Sequence, residues 1–285
     1  MDIDPIKAAL PLIQLALQED VGDGDATARS TIDDHANATA LMVAREDMVV
    51  SGIDVASEVF RSVDDSLVVE SLCGDGDQLG KGDGLLRIQG NAQSILTAER
   101  TALNFIQRLS GIATKASLFT RAIEGTGARI LDTRKTTPGW RLLEKYAAHS
   151  GGVTNHRIGL FDLILIKDNH LAALAQVSST PVTDAVKRAR EKYPDLRVEV
   201  EADTIEQAVE AAEAGADIIL LDNMPPAMMT RAIEAIDGRS QTEASGGITL
   251  ETVRAAAESG VDFISVGAIT HSATAVDIAL DFQLE

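Results

Sequence analysis

The chain has 285 residues and a formal net charge of −19, with 45% apolar residues, 3% aromatic residues and one cysteine, Cys73. That length suits one large α/β barrel or two ordinary domains, and so few aromatics require an aliphatic core. A single cysteine excludes an internal disulfide framework and fits a reducing compartment, while the acidic balance argues against a nucleic-acid surface, whose footprint is basic.

The opening MDIDPIKAALPLIQLALQED carries acids where a secretory signal needs a basic segment. No apolar run approaches the roughly 20 residues of a membrane helix. A cytoplasmic protein without membrane contact is expected. Ile6, Leu10, Ile13 and Leu17 fall at helical spacing and predict an amphipathic helix over 6–18. GDGD at 22–25 and DGD at 75–77 lack EF-hand spacing and read as turns. Residues 38–50 and 66–72 read as strands, CGDGDQLGKGDG as turns, and LLRIQG as a further strand. Ile95, Leu96, Leu103, Ile106 and Leu109 mark a helix from 92 to 110. These elements form an α+β domain over 1–112.

From residue 128 the rhythm changes. The apolar runs ARILDT, LILIKDN, RVEVEAD, DIILLDN, TEASGG and DFISVGA alternate with helical patterns, as in a parallel sheet built of βα units. An internal repeat supports this. IEQAVEAAEAGADIILLD (205–222) and LETVRAAAESGVDFISVG (250–267) share seven of eighteen residues at an offset of 45. Each copy is a helix, a glycine stop and a strand, and Asp203 with Glu206 reads as a capping box opening the first. Repeated units of this kind favour a (β/α) barrel over 113–272, with six or seven strands and hence incomplete closure. A doubly wound open sheet is the alternative. The tail, 273–285, is expected to pack back on the first domain.

Barrel active sites lie at the C-terminal strand ends. One residue from each end gives Lys167, Glu201, Asp222, Ser245 and Gly267. In RVEVE, Glu199 and Glu201 share one face by the two-residue period of a strand. The apolar face must meet the helices, so the acids point inward; a half-exposed edge strand is the other reading. Between Arg129 and His170 lie seven Lys/Arg and four Asp/Glu, a net charge of +3 within a chain of net −19. Such a cleft focuses its field on an anion. Arg141 and Lys145, at i and i+4, fit a solvated helix face instead. Arg134, Lys135 and Lys167 follow apolar strands and fit binding of a polyanion through forked and point-charge contacts. ASGGIT and VGAITHS offer phosphate-binding turns. Glu201 and Asp222 are hard oxygen donors suited to Mg2+ held jointly with phosphates. Trp140 reads as packing, His35 as surface, and His149 as surface or a supporting group.

The run LDTRKTTPGWRLLEKYAAHSGGVTNHRIGLFDLILIKDNH, together with LTAERTALNFIQRLSGIAT (96–114), VEVEAD, ILLDN, ASGGIT and VGAITHS, resembles the quinolinate phosphoribosyltransferase family across almost the whole chain. The resemblance implies an N-terminal α/β domain, an incomplete barrel of seven strands, and a homodimer with active sites shared between subunits. It implies that quinolinate and phosphoribosyl pyrophosphate react, with Mg2+, to nicotinate mononucleotide, pyrophosphate and CO2. Carried onto this chain, it gives Arg134, Lys135, His156, Arg157 and Lys167 to the quinolinate carboxylates and neighbouring phosphates. Arg100 is the arginine reaching in from the partner subunit. Glu201 and Asp222 are the acidic pair near ribose and Mg2+, and Ser245, Gly246, Gly247 and Gly267 form the 5′-phosphate loops, with His271 beside them. Lys135, Lys167, Glu201 and Asp222 are the catalytic candidates. Competing readings are a paralogue with another base acceptor, a Schiff-base aldolase using Lys167, and a sugar-phosphate binder without catalysis.

Overall fold

A computed structural model describes residues 3–284, in two compact units: residues 3–117, Thr136–Gly152 and 269–284 form the first, Leu118–Lys135 and Val153–Ala268 the second. Met1, Asp2 and Glu285, at the outer limits of the expected domain and tail, lie outside the described residues.

In the first unit, helix α1 (Pro5–Val21) starts where the Asp4 carboxylate accepts from the Lys7 N–H at 3.0 Å, with Pro5 in the first turn. Helix α2 (Ala26–Thr31) starts where Asp25 accepts from Ala28 N–H at 2.9 Å, so GDGD is a turn ending in a cap. Strands β1 (Asn37–Ala44) and β2 (Met48–Val49), helix α3 (Ile53–Val63), and strands β3 (Val68–Ser71), β4 (Gln78–Leu79) and β5 (Gly84–Asn91) follow. The Asp75 carboxylate accepts from Gly52 and Ile53 N–H at 2.9 and 3.0 Å, which makes DGD the cap of α3. Strands β1, β5 and β3 form one antiparallel sheet, and residues 278–284 add a fourth strand along β1.

Helix α4 (Ala92–Ala122) does not stop at residue 110. Gly111 is a packing residue rather than a terminator: a Cβ there would lie 2.1 Å from the Thr274 carbonyl oxygen. Helix α5 (Arg141–Ser150) corrects a second expectation. Lys145 is fully buried, beside buried Leu143, Ala147 and Ala148, and does not form a solvated basic face with Arg141. Buried Glu144 accepts from Arg108 Nη2 at 2.8 Å and from the Thr137 hydroxyl at 2.8 Å. Trp140 stacks on Phe105 with centroids 4.9 Å apart, as packing.

The second unit begins with β6 (Arg129–Leu131) and β7 (Ile164–Ile166). Helices α6 (Asp168–Ala175) and α7 (Pro181–Lys192) follow, then β8 (Val198–Ala202), α8 (Ile205–Glu213), β9 (Ile218–Asp222), α9 (Pro226–Ile236), β10 (Gln241–Ser245), α10 (Val253–Glu258) and β11 (Phe263–Ser265). Helix α11 (Ala268–His271) and β12 (Ile278–Leu284) end the chain's elements. Among the described residues the six strands run parallel in the order β6-β11-β10-β9-β8-β7. Beyond β6, Leu131 makes one parallel bridge to Thr154. The first strand thus pairs with the last, and a seventh segment reduced to one bridge lies on its other side. This is an incomplete α/β barrel, with β7 at the other end of the order.

Both repeat copies form helix–strand units whose glycine stops, Gly215 and Gly260, have φ of +86° and +96°. The capping box sits one residue later than read: Thr204 Oγ1 accepts from Gln207 N–H at 3.2 Å, and the Gln207 side chain accepts from Thr204 N–H at 3.3 Å. Strand β8 lies between β7 and β9, so its glutamates are not on an edge strand.

Candidate active site

The C-terminal ends of the second unit's strands surround a cavity of about 630 Å³. Asp132 to Lys135 enter it after β6, His156 and Arg157 after the Thr154 bridge, and Lys167 after β7. Glu201 enters from β8, Asp222 and Asn223 from the end of β9, and Ser245, Gly246 and Gly247 from the end of β10. Glu243 and Ser265 line it from β10 and β11. Of the residues singled out in the sequence, ten meet here. Gly267 lies in the same unit but is not among the lining residues, and Arg100 and His271 belong to the first unit.

One wall is basic. Burial, and after it the charge of Arg134, lowers the pKa of the Arg157 guanidinium. Two guanidiniums held against each other in a cleft mark an anion site. The loop that carries Arg157 is built by acids. Asp132, fully buried, accepts from Asn155 Nδ2 at 2.7 Å and from His156 N–H at 2.8 Å. Asp162 accepts from Ile158 and Gly159 N–H at 2.7 and 2.9 Å. Lys167 is placed by α6, whose start is closed by His170 Nδ1 accepting from Lys167 N–H at 2.9 Å.

Acids stand at the strand ends next to Lys167. Lys167 Nζ and Glu201 Oε2 are 2.8 Å apart. Burial, then the charge of Glu201, raises the pKa of the Asp222 carboxyl. Two acids at neighbouring strand ends therefore repel each other, a strain that a bound cation relieves. They are oxygen donors of the kind Mg2+ takes.

The barrel interior holds a third cluster. His156 Nε2 lies 3.1 Å from Glu199 Oε2 and 3.4 Å from Glu243 Oε2, and both glutamates are buried. Burial pushes Glu199 up to about 7, with the Glu243 charge adding to it. Burial pulls His156 down, but hydrogen bonding to Glu199 and Glu243 overcomes it and raises the ring to about 10. His156 Nδ1 accepts from Arg157 N–H at 2.8 Å, which favours the neutral ring. Two close carboxylates outweigh one amide contact in a buried site, so the raised value is the dominant effect. These three side chains have the composition of a metal site. In both protonation states, however, the hydrogen sits on Nε2 and faces the carboxylates, so the cluster as built holds a proton.

Sequence reasoning missed Asp132, Asn155, Asn223 and Glu243. Only Glu243 carried a signal: it precedes Ser245 by two residues and shares its inward face.

Family profiles match nearly the whole chain: "Quinolinate phosphoribosyl transferase, N-terminal domain" over residues 25–110 and "Quinolinate phosphoribosyl transferase, C-terminal domain" over residues 112–281. The chain is 43% identical to the chloroplastic nicotinate-nucleotide pyrophosphorylase (carboxylating) of Arabidopsis thaliana, over 96% of this chain and 82% of that one. It is 42% identical to the probable nicotinate-nucleotide pyrophosphorylase (carboxylating) of Bacillus subtilis, over 93% and 90%. The solved nicotinate-nucleotide pyrophosphorylase of Francisella tularensis superposes with a TM-score of 0.92 at 39% identity, covering 98% of each chain. The chain belongs to the quinolinate phosphoribosyltransferase family.

Proposed function

We propose that the chain transfers the phosphoribosyl group of phosphoribosyl pyrophosphate to quinolinate, with Mg2+, and releases pyrophosphate and CO2 to leave nicotinate mononucleotide in NAD biosynthesis. One observation carries this reading. Arg134, Lys135, Arg157 and Lys167 share a single cavity with Glu201, Asp222 and the Ser245–Gly247 turn. A dicarboxylate and a sugar phosphate are the two anions that such a set of basic groups, acids and glycine turn holds and aligns.

In this reading the basic wall holds the two quinolinate carboxylates and turns the ring nitrogen toward the sugar. Glu201 and Asp222 face the ribose, and their negative charge stabilises the cationic sugar as the pyrophosphate bond breaks. Mg2+, when bound, neutralises charge on the departing pyrophosphate. Glycosylation leaves the ring nitrogen positive, and that cation is the electron sink for loss of the adjacent carboxylate as CO2. Gly246 and Gly247, at φ of +94° and +61°, leave backbone amides for the 5′-phosphate, and the second has open space around its α carbon. Arg100, exposed on α4, serves the site of the other subunit of a homodimer, and Gly267 and His271 support the phosphate side.

The ion pair between Lys167 and Glu201 disfavours a Schiff-base aldolase, whose lysine must be neutral to attack. The test is to incubate the purified protein with quinolinate, phosphoribosyl pyrophosphate and Mg2+ and to follow nicotinate mononucleotide and CO2. Folded protein that forms neither product overturns the reading. Product from another base but not from quinolinate would assign a paralogous transferase.

A further inference from the structure

Among residues with a side chain, Asn223 and Asp237 have positive φ, of 53° and 52°, within the described residues. Asp237 ends α9, a usual place for such a conformation. Asn223 ends no helix. It follows Asp222 at the end of β9, inside the cavity. Asparagine tolerates the left-handed region better than most residues, but a strained position at a site still asks what holds it there.

Three contacts answer. Asn223 N–H donates to the Ser245 carbonyl at 2.8 Å, which extends the β9–β10 ladder past its Asp222–Ser245 register. Asn223 Nδ2 donates to Asp222 Oδ2 at 2.6 Å. The other end of the same carboxamide touches the glycine turn: a Cβ on Gly246 would lie 2.1 Å from Asn223 Oδ1 and 3.0 Å from Asn223 N. One amide is thus wedged between the Asp222 carboxylate and the Gly246 α carbon. Neither neighbour can move toward the other without displacing it.

We propose that Asn223 is a positioning residue that couples the acidic strand ends to the phosphate turn. Its carboxamide sets the rotamer of Asp222 and the approach of Gly246 together. The groups for the ribose and for the 5′-phosphate of one ligand are thereby held at a fixed separation. The left-handed backbone is what lets a residue at the end of β9 lie between them. The inference rests on the phosphoribosyl reading for its ligand. The coupling between Asn223 and Gly246 is a statement about the fold and stands apart from it.

Three variants of the full chain test the idea. Asn223→Gly keeps the backbone conformation and deletes the amide, and Asn223→Asp keeps the shape but loses the donor and sets a second carboxylate against Asp222. In steady-state assays both should raise KM for phosphoribosyl pyrophosphate about tenfold while KM for quinolinate stays within about twofold. A merely structural role would move both constants or neither. Gly246→Ala should lower the urea midpoint in the wild-type background, and by clearly less in Asn223→Gly, where the colliding oxygen is gone. Equal effects in the two backgrounds, or an unchanged KM for phosphoribosyl pyrophosphate in folded Asn223→Asp, would overturn the proposal. Wild-type protein that makes no nicotinate mononucleotide overturns the phosphoribosyl reading instead, and the urea cycle then still decides the coupling.

Discussion

His156 Nε2 faces Glu199 Oε2 at 3.1 Å inside the barrel, with Glu243 Oε2 3.4 Å from the same nitrogen. Apart from the ring, Glu199 meets the Glu243 carboxyl, a contact that raises its pKa further. The ring is therefore the main compensation for two buried carboxylates, and they in turn hold its proton. In wild-type protein the raised value of about 10 keeps His156 from titrating between pH 6 and 8. Glu199→Gln removes one charge and keeps the shape. The His156 midpoint should then fall by about one unit or more, read from the imidazole Cε1–H resonance across a pH series. An unchanged midpoint would show that Glu199 does not hold the proton.

The opposite end of the barrel makes a different prediction. Asp217 Oδ2 accepts from Val198 N–H at 2.6 Å and pairs with Arg190 Nη2 at 2.7 Å. Burial pushes its pKa up, but the Val198 bond and then Arg190 overcome this and leave it lowered. A depressed carboxyl stabilises the fold above its unfolded pKa of about 3.9 and loses that contribution as pH falls through the folded value. Asp217→Ala should cost about 1–3 kcal/mol at pH 7, and the gap to wild type should narrow below about pH 4. Urea unfolding at the two pH values checks this. Because Asp217 precedes β9 at its N-terminal end, away from the C-terminal rim, kcat at 25 °C should not change.

How far the sequence revealed these features depends on the range of the interactions. The six parallel strands were legible because a short apolar run with a polar end is a local signal. So was the inward pair Glu199 and Glu201, from period two alone. The helix expected over 92–110 runs on to Ala122, because its marker apolar residues end at Leu109 while Gly111 packs against the Thr274 carbonyl, far along the chain. Lys145 misled because i, i+4 spacing says which residues share a face but not what covers that face. Asp132, Asn155 and Asn223 act through bonds to residues one strand away or through backbone geometry, and nothing local distinguishes them from ordinary turn residues.

Cys73 offers a chemical probe. Burial, then the charges of Asp77 and Asp75, pushes its thiol up to about 11. The thiolate is the reactive species, so modification by a disulfide reagent at pH 8 should be slow and should accelerate as pH rises toward 11. Asp77→Asn removes one opposing charge and should speed the reaction at pH 8. Fast modification of folded wild-type protein at pH 8 would contradict the buried, acid-flanked setting.

Arg100 tests whether sites are shared. It is exposed on α4, and Glu99 Oε1, at 4.0 Å, makes a loose pair of little energetic weight. Lys135 lies at the barrel mouth of the other unit. If each site takes Lys135 from one subunit and Arg100 from its partner, Arg100→Ala and Lys135→Ala homodimers are both inactive. A heterodimer of the two then contains one site with both residues intact and one with neither. Random exchange makes half the dimers mixed, so the mixture should recover roughly one quarter of wild-type activity. Sites built within one subunit recover nothing, because every site in the mixed dimer lacks one of the two side chains. Heterodimers separated by two affinity tags should show about half the wild-type activity per dimer, against one quarter for the unseparated mixture.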